Sequence, residues 1–350
     1  MPALFHEIHQ ALGNGQELAV ATIVSKDGST PRTSGSKMIV YPHGGISGTI
    51  GGGALEGDVI QRARRLLETR GAEIVSYDLS RNANLHPLDA ICGGRMQVLI
   101  EHVAVHKNNI ELYKAAREEI NRSRSFLWLG KITDDNGQWQ VEHAIRKAQN
   151  EFVGPPQLKH AFQKLVEAKP PHLHGSALIT NQGHAYVIES IRPPDTIFLC
   201  GAGHVSKEIA ALSNHVGFRC IVFDDRAEFA NADRFPDADE VRVCPGFAEV
   251  FKGVGTHSGD LIVIVTRGHR FDKEVLAQAL QTQAGYIGMI GSRKKRDTIY
   301  QELVDRGVTP GALEKVHCPI GLAIDAETPA EIAVSVVAQL IRHRANCKKP

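Results

Sequence analysis

TIFLCGAGHVSKEIAALSNHVGFRCIVFDD, residues 196–225, is the stretch that decides the fold. Ile197–Cys200 is a short apolar run that stops at Gly201-Ala202-Gly203. The glycines open a segment whose apolar residues, Val205, Ile209, Ala210 and Leu212, recur at helical spacing. A second β-type run, Cys220–Phe223, is closed by Asp224 and Asp225. Strand, glycine turn, helix, strand and acid, in that order, form a βαβ unit of the Rossmann type. The first glycine permits the tight turn. The second lets a phosphate approach backbone amides at the positive end of the helix. An acid at the end of the second strand suits a ribose hydroxyl. The third position of the pattern is Ser206 instead of glycine or alanine, which loosens the contact between helix and strand. The same residues equally describe a structural turn without a ligand.

Toward the C-terminus, Leu261–Val265 reads as a central parallel strand. Residues just beyond such a strand line the ligand crevice of a doubly wound sheet, which places Thr266, Arg267 and His269 beside Gly201–Gly203. Arg267 suits a phosphate and His269 a proton transfer, with helix capping and loop packing as the plainer alternative. A helix is expected over 272–282. After the strand that begins at Tyr286 come Gly291 and Ser292, then four consecutive cations, Arg293 to Arg296. Cations in the first turn of a helix oppose its dipole, and that local conflict points to phosphate binding. Thr328-Pro329-Ala330-Glu331 is a capping box opening a helix to about residue 342.

The N-terminal third has its own glycine-rich features. Residues 4–12 read as a short amphipathic helix ended by Asn14-Gly15, and Leu18–Val24 as a buried strand. Residues 25–36, SKDGSTPRTSGS, are rich in hydroxyls and backbone donors, with Lys26 and Arg32 as cations. Such a loop suits an oxyanion; a plain surface loop is the alternative. Gly51-Gly52-Gly53 precedes a helix over 54–70. Three glycines in a row are entropically costly and are tolerated where backbone comes close to something. Glu56 in the first turn either complements the dipole or touches a ligand held by those glycines. Cys92-Gly93-Gly94 is sterically open, so the thiol could reach a soft metal, or it is a small buried residue before a turn.

Residues 106–194 carry less. A helix over 110–120 and hairpins around Asp134–Gly137 and Asn181–Gly183 are expected. His172 and His174 would share a strand face as a metal pair, or sit in a polar loop. Pro193-Pro194 marks the boundary before the Rossmann unit.

Composition narrows the classes. A formal net charge of +1 over 350 residues gives no reason to expect a nucleic-acid polymer or an anionic membrane as partner. No apolar run approaches bilayer length, and MPALFHEIHQAL lacks the pattern of a secretory signal. The six cysteines are dispersed without C-x-x-C or zinc-finger spacing, which favours reduced thiols in a cytoplasmic protein.

Taken in order, Thr30-Pro31-Arg32 with Gly35-Ser36, Gly51–Gly53 with Glu56, Cys92–Gly94, Gly201–His204, Asp224–Arg226, Thr266–His269, Ile287–Lys295 and Pro319–Gly321 resemble the XdhC/CoxI family. These are accessory proteins of xanthine dehydrogenase and related molybdenum hydroxylases. The resemblance covers both end domains and leaves the middle untouched. It implies an α/β chain with an N-terminal α/β XdhC-type domain (1–105), a middle α+β segment and linker (106–194), and a C-terminal Rossmann-like doubly wound parallel sheet (195–350). It further implies a chaperone, not an enzyme. Such a protein binds molybdenum cofactor (molybdopterin), protects it during sulfuration by a cysteine desulfurase, and hands it to an apo molybdenum hydroxylase, working as a homodimer.

From the motifs and the resemblance together, the expected cofactor-binding set is Arg32, Ser36, Gly51, Gly52, Gly53, Glu56, Cys92, Gly201, Gly203, His204, Asp224, Arg267, His269, Ser292 and Arg293. Cys92 is also the candidate metal contact. The competing class is an NAD(P)-dependent oxidoreductase resting on Gly201–Asp225 and His269. A regulator sensing another nucleotide without chemistry is a third reading.

Overall fold

A computed structural model of the chain describes residues 2–79, 93–135, 138–167, 175–181 and 183–347. The chain divides into two compact units, Met1–Pro193 and Pro194–Pro350, at the diproline.

The first unit contains α1 (Pro2–Gly13), β1 (Leu18–Asp27), β2 (Lys37–Val40), β3 (Ile46–Gly48), α2 (Gly53–Thr69), β4 (Ala72–Asp78), β5 (Arg95–Val103) and α3 (Lys107–Asn121). It continues through β6 (Phe126–Asp135), β7 (Gln138–Arg146), β8 (Phe152–Val153), α4 (Pro156–Glu167), β9 (Ser176–Asn181) and β10 (His184–Ile191). The strands pair antiparallel in the order β3-β2-β1-β5-β4-β7-β6-β10-β9, with β8 on β7.

Alternation along the strands explains why both faces are covered. Leu18, Val20 and Ile39 pack with Phe5 and Ile8 of α1 and Leu112 and Tyr113 of α3. Their neighbours Ala19, Ala21, Met38 and Val40 face the other way, onto Leu55, Val59 and Ala63 of α2. Each large aliphatic or aromatic side chain fully buried this way contributes about 1.5–3 kcal/mol relative to exposure.

Residues 106–193, separated from 1–105 in the sequence-based division, lie in the same compact unit as that segment. Their strands extend its sheet, with β4 meeting β7 at the pair Ala72↔Trp139. Helix α4 had no counterpart among the expected elements. Pro156 is the first residue of the helix, where a missing N–H costs nothing. Its Leu158 and Phe162 cover Leu129, Tyr186 and Ile188.

The second unit runs β11 (Thr196–Cys200), α5 (His204–His215), β12 (Arg219–Asp224), β13 (Glu240–Val243), β14 (Leu261–Ile264), α6 (His269–Ala279), β15 (Tyr286–Met289), α7 (Arg293–Val304), α8 (Pro310–Leu313), β16 (Val316–His317) and α9 (Pro329–Asn346). All its strands are parallel, in the order β13-β12-β11-β14-β15-β16. This is the doubly wound order, and it reverses between β11 and β14. Those two strands are buried throughout because helices cover both faces. Ile197, Leu199 and Val263 meet Ile209 of α5 and Val336 and Leu340 of α9. Phe198, Ile262 and Ile264 meet Val275 and Leu276 of α6 and Ile299 and Leu303 of α7. Helix α6 starts at His269 rather than at 272, so His269 lies in its first turn. The capping box at Thr328 and Glu331 forms as expected. Among the described residues no helix is long and apolar enough to cross a membrane.

Candidate functional site

Where the strand order reverses, the carboxyl ends of β11, β14 and β15 are neighbours, and each leads into a helix N-terminus. Gly201 leaves β11 at φ +110, and a Cβ there would sit 2.5 Å from the Val265 carbonyl oxygen and 2.9 Å from Thr266 Cα. The first glycine is therefore demanded by the close approach of the two turns, and Thr266 lies beside it as expected. Gly203 is different. Its φ is −77 and a Cβ would meet nothing within 4 Å. It caps α5 without any side-chain hydrogen bond. The turn is thus open on its outer side at the positive end of the helix. His204 is exposed there, while Ser206 is fully buried with no hydrogen-bond partner on its hydroxyl among the described residues.

The acid of the motif is engaged inside the turn. Asp224 is buried, and its carboxylate accepts from the Ala202 amide at 2.8 Å, the Arg226 amide at 3.1 Å and the Arg226 guanidinium at 2.9 Å. Burial alone would raise its pKa, but the Arg226 side chain and the two amides outweigh that and lower it. Asp224 braces the glycine turn from inside. Its neighbour Asp225 forms a two-pronged pair with Arg267 at 2.5 and 2.7 Å. Arg267, expected to meet a phosphate, is held by this acid and lies over the Phe271 ring at 4.9 Å.

The cation run splits. Lys295 turns inward to Asp272 and to the Ile290 carbonyl, and Arg296 pairs with Asp297. Arg293 and Lys294 are exposed and make no ion pair among the described residues. Ser292 caps α7 by accepting from the Lys295 amide at 3.2 Å. Cations in the first turn are thereby offset by an internal acid and a serine cap, while Arg293 and Lys294 still face solvent beside the helix's positive end.

In the first unit, the hydroxyl-rich loop and the triple glycine do come together: a Cβ on Gly51 would sit 2.8 Å from Pro31 Cβ. The Gly51 and Gly52 amides are already occupied. Glu56 accepts from the Gly52 and Ile50 amides, each at 3.1 Å, and from the Thr49 hydroxyl at 2.6 Å. Thr49 in turn accepts from the Gly51 amide at 3.1 Å. Burial opposes the charge on Glu56, but these bonds outweigh it and lower its pKa. Glu56 thus reaches back to its own helix start. Gly52 and Gly53 adopt φ +77 and +64 with open space around them. Arg32 is exposed, and Ser36 is half-buried, its amide donating to the Thr33 carbonyl. Ser34 bonds the amide of Ser176 at 3.2 Å, tying the loop to the start of β9. Cys92, His172 and His174 lie outside the described residues. Among the described residues no group of three or more His, Cys, Asp or Glu could hold a metal.

Known proteins carry the same two halves. Residues 197–340 match the family described as the XdhC Rossmann domain, and residues 11–78 match the XdhC and CoxI family. The chain carries both XdhC-type regions. A Bacillus subtilis protein, named as a probable subunit of xanthine dehydrogenase, is 29% identical over 97% of this chain and 97% of its own. An uncharacterised Escherichia coli protein, YqeB, is 25% identical over 94% of this chain, which spans 44% of that relative. A crystal structure of a xanthine dehydrogenase from Bacillus halodurans superposes with a TM-score of 0.79 at 26% identity, covering 98% of this chain and 96% of that one.

Two features of this XdhC-type chain escaped the sequence reading. The fully buried Asp272 accepts from both the amide and the hydroxyl of Thr266, at 3.2 and 2.6 Å, and pairs with Lys295. It joins the turns after β14 and β15. The available signal was a threonine at a strand end six residues before a first-turn aspartate. The other is Thr49, seven residues before Glu56, whose role shows only once the loop folds over the helix start.

Proposed function

We propose that this chain is an accessory protein of xanthine dehydrogenase or a related molybdenum hydroxylase. It binds molybdenum cofactor, protects it during sulfuration by a cysteine desulfurase, and delivers it to the apo-enzyme. The observation that carries this reading is the pair of XdhC-type matches, one in each unit, together with a full-length relative named as a probable part of xanthine dehydrogenase. The site chemistry is compatible. Molybdopterin carries a phosphate and a pterin with amide edges. The uncapped Gly203–His204 turn and the exposed Arg293 and Lys294 suit the phosphate. Arg32 offers a further exposed cation in the first unit. When bound, the cofactor would supply the molybdenum chemistry, and the chain would supply binding and shielding.

The doubly wound strand order favours a second reading, an NAD(P)-dependent oxidoreductase with the nucleotide in the same crevice. Asp224 must first release Ala202 and Arg226 before it can take a ribose hydroxyl. The deciding experiment is equilibrium binding of purified protein to freshly released molybdenum cofactor, with NAD(H) and NADP(H) titrated in parallel. Tight cofactor binding and activation of apo-hydroxylase on mixing support the accessory role. Binding of a nicotinamide nucleotide alone replaces it with the oxidoreductase. Gly203→Val fills open space at an ordinary φ, so the fold should persist by circular dichroism while cofactor binding weakens. Unchanged binding removes this turn from the site.

A further inference from the structure

Where α1 packs on α3, basic side chains meet that form no ion pair among the described residues. Phe5 and Ile8 of α1 are buried with Tyr113 and Ala116 of α3. The residues that follow these four are His6, His9, Lys114 and Arg117. Each helix therefore carries its two at i,i+3 spacing beside the shared core. His6 and Lys114 are exposed, and His9 and Arg117 are half-buried.

Arg117 is the unusual member. Its Nη1 lies 3.3 Å from His9 Nδ1. A guanidinium only donates, so Nδ1 accepts, and the ring is neutral with its proton on Nε2. Burial first, then Arg117, His6 and Lys114, lower the His9 pKa in keeping with that neutral form, while Glu118 acts against them. Arg117 Nε is buried without a hydrogen-bond partner among the described residues. A guanidinium fork matches a carboxylate or phosphate, yet this one meets a neutral imidazole. Lys114, one turn earlier, adds a like charge.

An oxyanion answers these conflicts together. It accepts from the Arg117 fork, from His9 Nε2–H and from the Lys114 ammonium. Two full cations against the single acid Glu118 leave the cluster net positive. Two-pronged binding uses Nε as well as an Nη, and turns the guanidinium away from His9. We propose that His9, Lys114 and Arg117 form a binding site for a tetrahedral oxyanion of the phosphate class on the first unit. The site stands whether or not the accessory role holds.

The test is an NMR titration of the full-length chain, isotope-labelled in its histidine rings, with phosphate, sulfate and methyl phosphate at constant pH. The readout is local to His9, because Arg293 and Lys294 of the second unit also attract anions. The His9 ring signal, assigned by its loss in His9→Gln, is expected to shift saturably. Arg117→Met keeps the aliphatic stem and is expected to weaken that response about tenfold or more. Lys114→Met, at an exposed position, should weaken it several-fold. A shift with phosphate and sulfate alone marks a free anion, and one with methyl phosphate as well marks a phosphate ester. No saturable shift with any of the three, the same shift from sodium chloride at equal ionic strength, or an unchanged response in Arg117→Met overturns the proposal. If Arg117→Met loses its fold by circular dichroism, Lys114→Met decides, and an unchanged response there overturns it.

Discussion

Lys37 of β2 and Glu189 of β10 form an ion pair at 2.7 Å, although their strands lie six places apart in the sheet of the first unit. Such a contact requires the sheet to curl round on itself. Both side chains are nearly inaccessible, at 7% and 1% exposure, and Lys37 also donates to the Thr22 hydroxyl at 3.0 Å. The bond between Ser34 and Ser176 closes the same gap from the loop side.

Breaking this pair from one side strands a buried charge. Glu189→Ala is expected to cost about 3–5 kcal/mol of unfolding free energy in urea. The double variant Lys37→Met with Glu189→Leu should recover most of that loss, because a buried apolar pair replaces a buried ionic one at little net cost. A single-variant loss under about 1 kcal/mol, the level of an exposed pair, would mean that the interaction does not close the sheet.

Glu56 and Asp224 give the protein an acid-side dependence. Both carboxyls have folded pKa values below their ordinary ones, because hydrogen-bond donors outweigh burial. Their contribution is complete above the unfolded values of about 4, and is lost as pH falls through the lower folded values. Thermal unfolding should therefore show a stability loss below about pH 4 that is reduced in Glu56→Gln and in Asp224→Asn. Equal acid slopes in the variants and the wild type would contradict the assignment.

Gly201 and Gly203 should respond very differently to alanine. At Gly201 the new Cβ meets the Val265 carbonyl oxygen at 2.5 Å and the backbone has φ +110, so Gly201→Ala is expected to cost about 1–3 kcal/mol or more. At Gly203 the Cβ enters open space at φ −77, and the melting temperature should hardly move. Comparable destabilisation at the two positions would argue against the close approach of the turns after β11 and β14.

Asp272 ties Thr266 to Lys295 from a fully buried position. Asp272→Ala leaves Lys295 without its partner and Thr266 without its acceptor, for an expected loss of about 3 kcal/mol or more. Thr266→Val removes one hydrogen bond and should cost less, about 1–2 kcal/mol. Denaturant titration distinguishes the two, and a Thr266→Val effect as large as Asp272→Ala would show that the ion pair adds nothing.

The Rossmann half was legible because its signals are local. An apolar run of four or five residues, a glycine at a tight turn and an acid at the next strand's end sit within thirty residues. The capping box at Thr328 and Glu331 spans four. The site was less legible. Arg267 and Glu56 read as ligand contacts because cations and acids near glycine turns suit that chemistry. Their partners within the chain, Asp225 and the Gly52 amide, are set by side-chain direction. Helix α4 was hidden because Pro156 reads as a break and serves as a helix start.

The sequence by itself determined the parallel Rossmann sheet, the glycine turn and the capping box at Thr328, since each rests on neighbouring residues and on side-chain periodicity, and its ordered motifs carried the resemblance to the XdhC and CoxI family. Only the tertiary structure decided that 106–193 continue the N-terminal sheet and that Lys37 meets Glu189. It alone decided that Asp224 and Glu56 brace backbone turns. The first two outcomes depend on which groups find one another across long stretches of chain, and the bracing by Glu56 and Asp224 on the direction their side chains take within a turn. A buried charge or amide takes whatever partner the folded packing brings within about 3 Å, and no local pattern encodes that meeting.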